Sequence, residues 1–151
     1  MDKAMAQEAG SPRVGRRLAA IMAADVVGYS RLMELDETGT LGVLKARRKE
    51  VLEPLVAQHQ GRIFKVAGDG VLVEFASAVN AVECAVLLQR SMAAANAGLP
   101  DERHIVLRVG VNLGDIIVEG GDLYGEGVNV AAIVWVDDGV QVAVQLHETV
   151  W

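Results

Sequence analysis

The chain has 151 residues, is 52% hydrophobic and 23% charged, and carries a formal net charge of −6. That apolar content suits one packed domain and excludes a disordered chain, while the acidic balance argues against a general nucleic-acid surface. All 14 Lys and Arg lie at or before Arg108, and the residues beyond it hold seven acids and no such cation, so an anionic substrate has to find its cations in the first two thirds.

In chain order, Met1 to Val14 reads as a polar, flexible lead-in, with residues 1–15 set apart from a single domain over 16–151. Arg16-Arg17 before Leu18 to Ala24 imitates an export signal, but Asp25 ends the apolar run after seven residues, which is short for a signal core. No stretch is long enough to span a membrane, and the expectation is a cytoplasmic protein with no membrane or nucleic-acid partner. Leu18 to Val26 alternates as a first strand, with Ile21, Ala23 and Asp25 on one face. Asp25-Val26-Val27-Gly28-Tyr29-Ser30 then turns into a helix over Arg31 to Glu34. Backbone N–H groups at such a turn suit a phosphate. An ordinary strand-to-helix turn with Ser30 as N-cap is the competing reading.

Thr38 to Gln60 carries a helical stripe of Leu41, Leu44, Val51, Leu52, Leu55 and Val56, with a kink expected at Pro54. Lys45, Arg47, Arg48 and Lys49 stand beside Glu50 and Glu53 and read as a solvated face. Arg62 to Phe75 holds two apolar runs around Gly68-Asp69-Gly70, a strong hairpin signal. The period of two puts Lys65, Ala67 and Asp69 on one face. Asp69, expected to be exposed and rigidly held at the tip, suits a metal ligand, or is a turn former only.

Ala78 to Ala97 reads as a second amphipathic helix, with Cys84, the only cysteine, as a small buried residue. His59, His104 and His147 show no ligand spacing. Ile105 to Asn112 and Ile116 to Glu119 read as two strands about Gly114-Asp115. A glycine-rich link, Gly120 to Gly125, then leads to a helix start at Val128 to Ala132. The order of elements suggests an antiparallel-rich α+β sheet with helices on one face, βαββαβ in the ferredoxin-like class.

Three motifs in order carry a resemblance to a known family. Ala24 to Ser30, Lys65 to Gly70 (Lys-Val-Ala-Gly-Asp-Gly) and Gly125 to Ala132 (Gly-Glu-Gly-Val-Asn-Val-Ala-Ala) resemble the first metal motif, the second metal motif and the transition-state helix of class III nucleotidyl cyclase catalytic domains. The resemblance runs from about Arg16 to Ala132. It implies an adenylate cyclase that converts ATP to 3′,5′-cyclic AMP and pyrophosphate. Two Mg²⁺ or Mn²⁺ ions would sit on Asp25 and Asp69, since hard cations favour carboxylate oxygens, with the backbone of Val26, Val27, Gly28 and Tyr29 near the phosphates. Lys65 and Asp122 would read adenine, and Asn129 would act in the transition state. It further implies a head-to-tail homodimer, or pairing with a full-length cyclase, in which one site draws on both chains.

The sequence departs from the family at its end. Ile133 stands where active members carry an arginine, one helical turn beyond Asn129. The closing residues are short of the family pattern, so the domain is expected to be incomplete at its C-terminus, with the last strands missing, although Gly139 to Gln145 reads as strand-forming. A non-catalytic cyclase-fold protein that binds nucleotide or dimerises, or a truncated product without function, is therefore the alternative. An unrelated two-aspartate palm domain would explain Asp25 and Asp69 but not Lys65, Asp122 and Asn129.

Overall fold

A computed structural model describes residues 14–119, 122–124, 133–135 and 141–146. Its core is β1 (Val14–Val26), α1 (Tyr29–Leu35), α2 (Glu37–Arg47), a π-helical turn (Arg48–Leu52), α3 (Glu53–Gln58), β2 (Arg62–Ala67), β3 (Gly70–Phe75), α4 (Ala78–Asn96) and β4 (Leu107–Glu119). Three short strands follow: β5 (Asp122–Tyr124), β6 (Ile133–Trp135) and β7 (Gln141–Leu146). They form one sheet in the order β2-β3-β1-β4-β7-β6, with β5 paired to β4. This is the α+β, antiparallel-rich architecture that the element order suggests; only the β4–β7 pairing is parallel.

β1 lies at the centre because its alternation gives it two useful faces. Ala20, Met22, Ala24 and Val26 join Val71, Val73, Phe75, Val109 and Val111 in the main core. α4 closes that core with Ala81, Cys84, Ala85, Leu88 and Met92, spaced to share one helical face. Small residues at 81, 84 and 85 let the helix approach closely. Ala19 and Ile21 point the other way and are buried with Phe64 and Leu72 in a separate small cluster. Among the described residues that second cluster holds strand residues alone, so the helices lie on one face of the sheet.

Four expectations need correction. β4 is one strand through Gly114-Asp115, not two, because β1 offers it an unbroken partner from Val26↔Leu107 to Val14↔Glu119. The chain reverses later, between Glu119 and Asp122, which pair, and Asp122–Tyr124 is strand rather than link. Ile133–Trp135 is a strand antiparallel to β7, in keeping with the β preference of Ile, Val and Trp, so the helical spacing from Asn129 does not extend to Ile133. Around Pro54 the long helix widens into a π turn, where Glu53 N–H bonds back to the Arg48 carbonyl; proline, with no N–H of its own, then takes the first turn of α3. The expected strand near 139–145 appears as β7. The expected lead-in over residues 1–15 lies outside the described residues except for Val14 and Gly15, which are strand and belong to β1, and the helix start at 128–132, with Asn129, lies outside them as well.

A buried asparagine sets the start of β4. Asn96, at the end of α4, donates from Nδ2 to the Ile105 carbonyl at 2.9 Å and accepts the Ile105 N–H on Oδ1 at 3.0 Å. Asn96→Ala leaves two buried backbone groups unpaired. It should destabilise the fold by about 2–4 kcal/mol, read as a lowered urea midpoint. Burial also pushes the Cys84 thiol up to about 11, so little thiolate forms near neutral pH. Labelling by a thiol reagent at pH 8 should be slow in the native protein and fast in urea.

Candidate active site

The site grows from the end of β1. Asp25 lies on the helix-free face, and Val26 turns into the core. At the following turn Val27 N–H bonds to the Val106 carbonyl at 2.8 Å, and Gly28 takes a left-handed conformation with φ of 67° as the residue before α1. Only glycine adopts that geometry without steric cost. Gly28, not Ser30, therefore caps the helix, and no side chain caps α1.

Asp69 reaches this point from the hairpin. Gly68 and Asp69 are the two turn residues between Ala67 and Gly70. Gly68 alone of the pair has positive φ, 58°, which is the sign pattern of a type II′ turn. The Asp69 carboxylate is not fully exposed as expected. Its Oδ2 accepts the Val26 N–H at 3.0 Å and is part-buried, so one hydrogen bond joins the hairpin tip to the end of β1. Among the described residues Asp69 Oδ1 takes no hydrogen bond.

Arg108 completes the group. It pairs with Asp25 across the β1–β4 ladder and grips it as a fork, Nε to Oδ1 at 2.8 Å and Nη2 to Oδ2 at 3.2 Å. The hydrogen bond and charge of Asp25 raise the Arg108 pKa above its ordinary value, with Asp69 adding to the effect. At 72% and 43% side-chain exposure the pair adds little stability; its effect is to orient the Asp25 carboxylate. Sequence reasoning missed Arg108 as a site residue. The available signals were its place as the last cation and the alternation that sets it across from a strand-end aspartate.

Lys65 arrives by a different device. Ile63 faces Val73, but Lys65 rather than Phe64 faces Leu72, so Phe64 is the extra residue of a β-bulge. Lys65 consequently lines an open cleft of about 470 Å³ with Ala23, Asp25, Ala67, Arg108 and Gly110. The strand face expected to join Lys65, Ala67 and Asp69 divides here. Asp69 instead walls a smaller cavity of about 50 Å³ on the helix side, beside Arg47 and Arg48.

Asp25, Asp69, Lys65 and the Val26–Tyr29 turn thus gather at one end of the sheet. Asp122 does not join them along the strands. Lys65 is level with Ala23 and Gly110, while Asp122 is level with Glu119 at the far end of β4, roughly 30 Å away along extended strand. Asn129 lies outside the described residues. No cluster of three or more His, Cys, Asp or Glu able to hold a metal occurs among the described residues. Asp25 and the open Oδ1 of Asp69 nevertheless fit a hard cation of the kind that takes one or two carboxylates and completes its shell with water and substrate phosphates.

A central antiparallel sheet with helices on one face, and a hairpin aspartate tied to the backbone just beyond a strand-end aspartate, fits a nucleotidyl cyclase type of domain. The comparisons agree. The chain is 66% identical over 140 residues to "Putative adenylate cyclase 3" of Rhizobium meliloti (strain 1021), covering 91% of this chain and 24% of that protein. It is 39% identical over 119 residues to an adenylate cyclase of Streptomyces coelicolor, covering 79% of this chain and 29% of that one. The crystal structure of an adenylate/guanylate cyclase/hydrolase from Silicibacter pomeroyi superposes with a TM-score of 0.72 at 44% identity, covering 78% of this chain and 68% of that one. No family model matches. The chain belongs to the class III adenylate/guanylate cyclase family, and it spans about a quarter of the length of the two curated relatives above.

Arg108→Ala should strengthen Mn²⁺ binding in the absence of nucleotide by a few-fold, because a metal no longer has to displace the guanidinium from Asp25. Isothermal titration of Mn²⁺ against parent and variant measures the difference.

Proposed function

We propose that this chain forms an adenylate cyclase site, producing 3′,5′-cyclic AMP and pyrophosphate from ATP. The observation that carries the reading is the convergence of Asp25, Asp69 and Arg108 on the end of β1 beside the Gly28 turn. Asp25 and Asp69 would hold Mg²⁺ or Mn²⁺, two ions per site. Such ions supply Lewis-acid activation of the 3′-hydroxyl and neutralise charge on the phosphate oxygens. Backbone N–H groups from Val26 to Tyr29 would stand near the phosphates. Arg108, freed from Asp25 when a cation takes that carboxylate, would place a permanent positive charge at the same end of the sheet.

Lys65 would donate to adenine N1, and Asp122 would reach the exocyclic amine of the same base from the other copy, since about 30 Å of strand separates the two residues within one chain. The helix-free sheet face carrying Asp25, Lys65 and Arg108 favours closure by a second copy, so that one site draws on both chains. A full-length relative would serve equally as the second chain. Asn129 would steady charge on the transferring phosphorus. No helix among the described residues is long and apolar enough to cross a membrane, and a cytoplasmic location fits a reaction that consumes ATP.

Nucleotide binding without turnover is the second reading, and Ile133 is its basis. Ile133, rather than a cation, occupies the position four residues after Asn129, and it belongs to a strand that pairs with β7. Loss of a transition-state donor costs on the order of 10²–10³ in rate.

Cyclic AMP formed from ATP with Mn²⁺, measured by chromatography, distinguishes the two. The expected result is slow turnover that Asp25→Ala and Asp69→Ala each abolish, with Mn²⁺ affinity lowered in Asp69→Ala. Turnover insensitive to both substitutions would remove the metal-site reading, and Mn²⁺-dependent ATP binding with no product would leave nucleotide binding alone.

A further inference from the structure

We infer that Phe64 is the positioning residue for base selection, acting on Lys65 through the β-bulge; this rests on the reading of Lys65 as the base donor. The register makes the case. Had β2 run regularly from the Ile63–Val73 pair, Phe64 would face Leu72 and Lys65 would face Val71. Val71 belongs to the helix-covered core, so the ammonium would be aimed at apolar packing, where a charge is costly to bury. The extra residue keeps Lys65 level with Leu72 on the outer face, in the cleft with Asp25 and Arg108.

Phe64 holds that bulge through two contacts. It packs, partly buried, against the cluster of Ala19 and Ile21, which is separate from the main core. The Arg62 guanidinium also lies over the ring, 5.8 Å from its centre, within the range of a cation–π contact, and is itself tied to Glu74 at 2.8 Å. These anchors matter because, among the described residues, β2 is an edge strand hydrogen-bonded to β3 alone. A strand held on one side depends on its side-chain contacts for its exact course. Lys65 adds a long, flexible stem, so an error in its backbone position passes directly to the donor. A misplacement of about 1 Å is enough to lose a directional contact.

The test is competition of ATP and GTP against a fluorescent ATP analogue in the presence of Mn²⁺, using the full chain. Phe64→Ala should lower the ATP-over-GTP preference about tenfold, the scale of one hydrogen bond from a charged donor, with Mn²⁺ affinity unchanged. Phe64→Leu should recover most of that preference. Lys65→Ala tests the reading beneath. If it lowers the preference while Phe64→Ala leaves it intact, Lys65 reads the base and the role of Phe64 is overturned. If Lys65→Ala also leaves the preference intact, the reading of Lys65 fails. Should Phe64→Ala not fold, Phe64→Val, which removes the ring but keeps an apolar stub, carries the comparison, and a preference unaltered in Phe64→Val overturns the inference. Nuclear Overhauser contacts in the parent decide the register independently. Lys65 to Leu72 is expected; Phe64 to Leu72 together with Lys65 to Val71 would overturn the bulge.

Discussion

The site depends on the pairing of β1 with strands on both sides. Its central position, between β3 and β4, fixes the course of its final residues before any catalytic group is considered. Arg108 meets Asp25 because the β1–β4 ladder sets them opposite each other. Asp69 meets the Val26 N–H because β3, paired to the same strand, brings the hairpin tip alongside. The carboxylates are thus placed by backbone hydrogen bonds, which are short, directional and numerous. Their geometry needs little from flexible side chains, and that is the condition for a site organised before its ligand arrives.

Beyond β1 the supporting contacts are local and polar. Asn96 fixes Ile105, and Gln89 donates from Nε2 to the Leu107 carbonyl at 2.9 Å. They hold the entry of β4 against α4, three residues and one residue before Arg108. The helix layer therefore steadies a charge on the opposite face of the sheet without touching it. The same division appears in the packing. The large core joins helices to one face, and the small cluster of Ala19, Ile21, Phe64 and Leu72 serves the other.

Much of this was legible in the sequence because its signals are local. The Asp-Gly pair marks the hairpin, alternation in β1 marks its two faces, and the motifs at Asp25 and Asp69 point to one family. What was not legible depends on neighbours. Gly114-Asp115 has turn composition, yet an intact partner strand keeps it extended. Ile133 continues a helical pattern on paper, but pairing with β7 draws it into a strand. The bulge at Phe64 leaves no mark in composition, since only the register against β3 reveals an extra residue. Ser30 has the chemistry of a cap, but the left-handed Gly28 already begins α1. Arg108 was missed for a related reason: its partner is distant in sequence and adjacent only across a ladder.

The π turn ahead of Pro54 has a consequence for the phase of the helix layer. Thr40, Leu44, Leu52 and Val56 are buried or packed on the core, and their positions differ by multiples of four. On a regular α-helix of 3.6 residues per turn, each step of four carries a residue about 40° further round the axis. Over the distance from Thr40 to Val56 that drift would rotate the later residues off the sheet. The wider turn at Arg48–Leu52 accommodates more residues in one revolution and takes back part of the rotation. It works as a phase correction, letting one chain segment present a single apolar side along its whole length. Removing one residue there would let the segment close as a regular α-helix with the same four side chains within about 60° of one another, so the wide turn is the means by which this segment carries one residue more than a regular helix would hold on that side.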